Sequence, residues 1–120
     1  MSLKRLPPVL LRLEGLAVFG TALVLYLELD YSILALAVLF LAPDVSILGY
    51  LGGPRIGAIA YDAAHTYAGP LVLAAIGVLT DSAVPTQVAL IWSAHIGFDR
   101  LLGYGLKYPT SFKDTHLQRV

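Results

Sequence analysis

The sequence predicts an all-α fold, an integral membrane four-helix bundle in up-down-up-down order. Three observations predict it. Of the 120 residues, 58% are hydrophobic and 13% charged, against roughly 25% charged residues in a soluble domain. The apolar residues gather into four segments, each near the roughly 20 residues that a spanning helix needs. The connections between them are brief and made of turn formers, which places consecutive helices side by side and antiparallel.

The first segment covers about residues 9–29. Lys4 and Arg5 precede it as they would a signal peptide, but Glu14 and Gly15 interrupt the apolar core. No small-residue cleavage site follows, so the segment reads as a retained span. Arg12 lies near its start and has to snorkel outward for the helix to cross. After the turn Glu28-Leu29-Asp30, the second segment runs over 31–51 and holds one charge, Asp44, directly behind Pro43. Gly52-Gly53-Pro54-Arg55 leads to the third, 56–79, which carries Asp62, His65 and a Gly69-Pro70 interruption. The fourth, 85–104, carries His95, Asp99 and Arg100 and closes at Gly103-Tyr104-Gly105. Residues 1–104 thus form the membrane domain, and 105–120 form a polar tail lying along the cytoplasmic surface.

Orientation follows from the basic residues, because lysine and arginine are retained on the cytoplasmic side. Lys4, Arg5, Arg12, Arg55, Arg100, Lys107, Lys113 and Arg119 all fall on one side of the four-span frame. The first and third loops carry none. Both termini are therefore expected in the cytoplasm, with the chain in a plasma (inner) membrane. A net charge of zero gives no electrostatic reason for a nucleic-acid partner. Without cysteine there are no disulfides and no thiolate ligands.

On this frame Glu14, Asp44, Asp62, His65, His95 and Asp99 all fall in the cytoplasmic half of the bilayer, at about 1.5 Å of rise per residue. Ionisable groups in hydrocarbon are costly, so they face the bundle interior and pair or bind something. Asp62 and His65 are spaced i,i+3, and His95 and Asp99 are spaced i,i+4, so each pair projects from one helix face. Carboxylate and imidazole pairs on facing helices are how bundle cores hold metal ions. Asp44, Asp62, His65, His95 and Asp99 are the candidate ligands, a set that suits zinc, manganese or iron. Glu14 has Arg12 two residues away and is as well explained by an ion pair. Whether His116 joins the site stays open.

Pro43 and Pro70 each remove a backbone donor and disturb the carbonyl four residues back, at Leu39 and Thr66. Such interruptions can mark ion or substrate sites, although kinks are ordinary in membrane bundles. Gly20, Gly49, Gly57 and Gly97 read as close-packing positions between helices. Trp92 is too deep for an interfacial anchor and fills space, whereas Tyr104 and Tyr108 fit the aromatic belt.

The motifs L-R-L-E-G (11–15), A-P-D-V-S-I-L-G-Y-L (42–51), G-P-R-I-G (53–57), H-T-Y (65–67), A-H-I-G-F-D-R-L-L-G-Y-G-L-K-Y-P (94–109) and F-K-D-T-H-L (112–117) resemble the domain-of-unknown-function 4260 family of small bacterial membrane proteins. That resemblance implies no activity. A looser likeness, to the inner-membrane metal-dependent hydrolases, rests on Pro43-Asp44, then His65, then His95 with Asp99. Those hydrolases have two histidines in the middle motif, where only His65 stands here.

The leading expectation is a cytoplasm-facing metal site, with hydrolysis of a lipid-linked or phosphorylated substrate as the reaction class. His65, His95 and one of Asp44 or Asp99 would hold the metal, and a remaining carboxylate, Asp62 or Asp99, would serve as general base. The alternatives are a small proton- or ion-coupled transporter using Glu14 and a structural membrane subunit.

Overall fold

The computed structural model describes residues 5–107 and 115–119; Lys4, Tyr108 and Lys113 lie outside them. The fold is all-helical. Among the described residues the only extended pairing is a single antiparallel bridge between Lys107 and Thr115.

Helix α1 spans Leu6–Glu28. Pro7 and Pro8 sit in its first turn, where N–H groups have no intrahelical acceptor and a missing one is harmless. Past its end, Asp30 takes φ 56°, a left-handed conformation that the short aspartate side chain tolerates better than most. Helix α2, Ile33–Leu39, opens on Ser32, whose Oγ accepts a hydrogen bond from the Ala35 N–H at 3.1 Å.

The second apolar segment is not one α-helix. It stops at Leu39, the residue whose carbonyl Pro43 leaves without its donor, and continues as a 3-10 helix over Ala42–Gly52. The third segment is interrupted in the same way. Helix α3 runs Pro54–His65, Thr66 is extended at φ −101° and ψ 150°, and α4 runs Ala68–Leu79. Pro70 cannot donate to Thr66, so the break falls where the helix has already lost a bond. The break opens beside His65, and the other one beside Asp44.

Helix α5, Ala83–Leu102, forms the centre of the molecule. It packs on α1 and on α4, while the 3-10 segment packs on α3. Ala89, Ile91, Ala94, His95, Ile96, Gly97, Asp99 and Arg100 are all buried along it. The α1–α5 contact is a backbone-to-backbone approach. A Cβ on Gly97 would lie 2.7 Å from the Gly15 carbonyl oxygen, and one on Gly15 would lie 2.5 Å from the Arg100 Cβ. Gly49 and Gly57 meet similar crowding between the 3-10 segment and α3. Gly20, expected among these packing positions, has open space around it.

Helix α5 ends at Gly103, which takes φ 95°. The Tyr104 N–H then reaches back to the Asp99 carbonyl at 2.8 Å and the Gly103 N–H to that of Arg100 at 3.1 Å, a Schellman stop that glycine makes possible. The chain folds back through Leu106 and His116 into a short helix α6, His116–Arg119.

The stretches Leu6–Glu28, Ile33–Gly52 and Pro54–Leu79 are long and apolar enough to cross a membrane. No residue of α2 or the 3-10 segment is buried, and Leu34, Val38, Leu51, Leu71 and Val78 are each more than 65% exposed. A water-soluble monomer rarely shows so continuous an apolar exterior, and this surface points to a membrane protein. Helix α5 is 20 residues long, with its polar groups turned inward.

Candidate metal centre

Four side chains converge where the two interrupted helices meet α5. His65 Nε2 lies 3.1 Å from Asp44 Oδ1, 3.1 Å from His95 Nε2 and 3.3 Å from Asp99 Oδ2. His95 Nε2 lies 3.2 Å from Asp44 Oδ1 and 3.3 Å from Asp99 Oδ2. The two carboxylate oxygens are within 4.8 Å of each other. A point equidistant from three mutually contacting corners about 3.2 Å apart can lie about 2.0 Å from each, which is the distance at which zinc takes imidazole nitrogen and carboxylate oxygen.

The two imidazoles are held from behind by packing, and His65 also by a hydrogen bond. His65 Nδ1 lies 2.9 Å from the Tyr61 carbonyl, an obligate acceptor, so Nδ1 carries the proton and Nε2 presents its lone pair to the cluster. The Tyr61 ring stacks on the same imidazole, with centroids 3.7 Å apart and planes 7° apart. Such an outer contact fixes tautomer and orientation in metal-ligating histidines. His95 stands against Phe40 edge-on at 5.5 Å, and Phe40 packs in turn on Phe19 and Phe98. This aromatic wall keeps water from one side of the site.

A lone pair facing another imidazole nitrogen and two carboxylate oxygens at such distances is repulsive unless a proton or a cation lies between them. The donor set has two neutral nitrogens and two anionic oxygens, so a divalent cation would balance it. His65 and His95 are 0% and 1% exposed, and Asp44 is the member that reaches solvent. Beside Asp44 and Asp99 opens a cleft of about 210 Å³, lined also by Ile47, Tyr61, Tyr104 and Lys107. Along the same helix breaks runs a separate apolar cavity of about 300 Å³, lined by Leu39, Pro43, Ala64, Ile91 and Trp92 among others.

A model of the family described as a domain of unknown function (DUF4260) matches residues 8–120. The chain belongs to this family. No curated protein and no solved structure matches it. The family description states no activity, so the chemistry of this DUF4260 chain rests on its own residues.

Of the five expected ligands, the structure brings together Asp44, His65, His95 and Asp99. Asp62 stands apart from them. Its Oδ1 accepts the backbone N–H of Lys107 at 2.6 Å, so it pins the returning tail instead of facing the cluster. Glu14 is exposed on α1. His116 is not in the cluster either: its Nδ1 accepts the Leu106 N–H at 2.6 Å.

Arg100 and Trp92 have roles that their sequence positions did not reveal. Arg100 is buried, at 7% exposure. Its Nη2 donates to the His65 carbonyl at 3.0 Å and its Nη1 to that of Tyr104 at 3.2 Å. Trp92 Nε1 donates to the Ala64 carbonyl. Two carbonyls released by the break between α3 and α4 are thus satisfied from α5, as a buried, interrupted helix requires.

Tyr61 and Lys107 are the site residues that sequence reasoning missed. Tyr61 precedes His65 by four and shares its helix face, a usable signal. Lys107 had none, because only the fold-back of the tail brings its ammonium over the Tyr61 ring, 4.4 Å from the centroid. Burial pushes the Lys107 ammonium below the usual lysine range, and the charges of Asp99, Asp62 and Asp44 oppose that shift.

Proposed function

We propose that this protein is an integral membrane protein that holds a divalent cation, zinc by preference, between Asp44, His65, His95 and Asp99. The carrying observation is that four ligand atoms from three separate helical segments meet, five of their six separations being 3.1 to 3.3 Å and the sixth within 4.8 Å. In this reading the three long apolar stretches and α5 cross the bilayer as an up-down-up-down bundle. Both termini are cytoplasmic, on the side that carries the basic residues. Manganese and iron are chemically compatible with the same donors, but a small set with two imidazole nitrogens this close together favours zinc.

Metal-assisted hydrolysis of a lipid-linked or phosphorylated substrate is the reaction class this arrangement supports. Held by His65, His95 and Asp99, with the solvent-reaching Asp44 giving up its place, a cation here would have an open position at which it would polarise a substrate oxygen and acidify a water. Asp44, the ligand at the mouth of the cleft, is placed to accept a proton from a water entering there. Asp62 acts by positioning, since it holds the Lys107 backbone. The apolar cavity beside the ligand-bearing breaks supports a substrate with a hydrocarbon portion.

Elemental analysis of the purified protein tests the reading. One equivalent of zinc per chain is expected, falling to background in the His65→Ala/His95→Ala double variant. Background metal in the wild type after zinc loading would overturn it.

A further inference from the structure

The cleft at Asp44 is lined by one cation, Lys107, and by the rings of Tyr61 and Tyr104. Among the described residues, three carboxylates, Asp44, Asp62 and Asp99, and two cations, Lys107 and Arg100, stand around it within electrostatic reach. These described groups, ionised, carry one negative charge in excess. A divalent cation between the ligands reverses this to one positive charge in excess, and a bound ion dominates the field of such a site. Arg100 is committed to two carbonyls behind the cluster. Of the two cations, Lys107 is the one that lines the cleft.

We infer that the cleft is an oxyanion subsite: it takes a phosphate group, bound on one side by the cation of the proposed centre and on the other by the Lys107 ammonium. This rests on the metal reading above and names what the loaded site recognises. Lysine binds phosphate as a point charge and needs no fixed fork. The Tyr61 ring under Nζ holds that charge in place. The Tyr61 hydroxyl, 3.5 Å from Asp99 Oδ2, lies at the same cleft. The Lys107 backbone is held independently, by Asp62 and by the bridge to Thr115. A change of its side chain therefore leaves the tail's main-chain attachments in place.

The test uses the full chain, zinc-loaded and reconstituted in nanodiscs, with inorganic phosphate titrated by calorimetry and zinc counted by elemental analysis. Wild type is expected to bind phosphate. Lys107→Met is expected to bind it about tenfold or more weakly, as loss of one charge-assisted contact implies, with zinc content unchanged. Lys107→Arg should recover most of the affinity. Full zinc with no phosphate bound, or equal binding by Lys107→Met, overturns the inference. Absence of zinc overturns the metal reading and this one with it, and the elemental count tells the two failures apart. Nanodiscs of phosphatidylcholine alone and with phosphatidic acid identify the source. If phosphatidic acid weakens apparent phosphate binding, the subsite takes a lipid headgroup; if it does not, the subsite takes free phosphate. Either pattern supports the oxyanion subsite.

Discussion

Arg100 donates through Nη2 to the main-chain carbonyl of His65 at 3.0 Å, while the side chain of His65 faces the cluster on its other side. One residue of α5 thus satisfies the broken end of α3 and fixes the backbone from which a ligand projects. Arg100→Met should leave that carbonyl buried and unpaired, at a cost of about 1.5–3 kcal/mol for a hydrogen bond to a charged donor. A lower thermal midpoint in detergent, together with weakened zinc retention, is the expected result. An unchanged midpoint would mean that water replaces the guanidinium.

His95→Ala and Asp99→Ala should each remove one corner of the ligand set. Zinc affinity should fall by two orders of magnitude or more, read by chelator competition. Asp62→Asn should keep the zinc, because its carboxylate lies outside the cluster and the amide oxygen can still accept the Lys107 N–H. Loss of zinc in Asp62→Asn would show that Asp62 reaches the ion.

The α1–α5 contact allows a paired prediction. Gly97→Val places methyl groups against the Gly15 carbonyl and the Phe19 backbone and should cost about 1–3 kcal/mol through overpacking. Gly20→Ala meets open space and should be neutral or stabilise by up to about 1 kcal/mol, through helix propensity. Thermal unfolding of both variants beside the wild type checks the contrast.

The tail should detach on acidification. His116 accepts the Leu106 N–H at Nδ1 and so must be neutral on that nitrogen. Burial, and then the Arg100 charge, hold its pKa below the ordinary histidine value of 6.5. The unfolded chain therefore binds the proton more readily, and stability contributed by this residue rises with pH. It is fully present above about 6.5 and is lost as pH falls through the lower folded value. Hydrogen exchange at Leu106 and Lys107 should quicken below that point in the wild type. His116→Ala should show fast exchange with little pH dependence beyond the intrinsic one.

Zinc should likewise leave as the pH falls, because both imidazoles must be deprotonated to bind it. Dialysis at about pH 5 followed by return to neutral pH with zinc should restore the equivalent. Irreversible loss would indicate that the ion is needed to keep the fold.

By itself the sequence determined the helical class, the apolar exterior and the pool of polar residues from which the site is drawn. These are properties of composition and period, which depend on no distant contact. It also determined that His95 and Asp99 project together, because four residues turn a helix by about 40° past one full revolution and keep both on one face. The tertiary structure decided which other groups join them. Asp62 and Tyr61 flank the face of His65 on opposite sides, at about 60° and 40°, and only the packing of the 3-10 segment and α5 turned the Tyr61 side toward the cleft. The proline positions marked the disturbed carbonyls at Leu39 and Thr66, but not that the helices would break outright. At the break after His65, that outcome required Arg100 and Trp92 on α5 to satisfy the carbonyls of His65 and Ala64. Lys107 entered through the tail's return over α3. A contact between residues so far apart in the chain leaves no periodic trace, since nothing local constrains either partner.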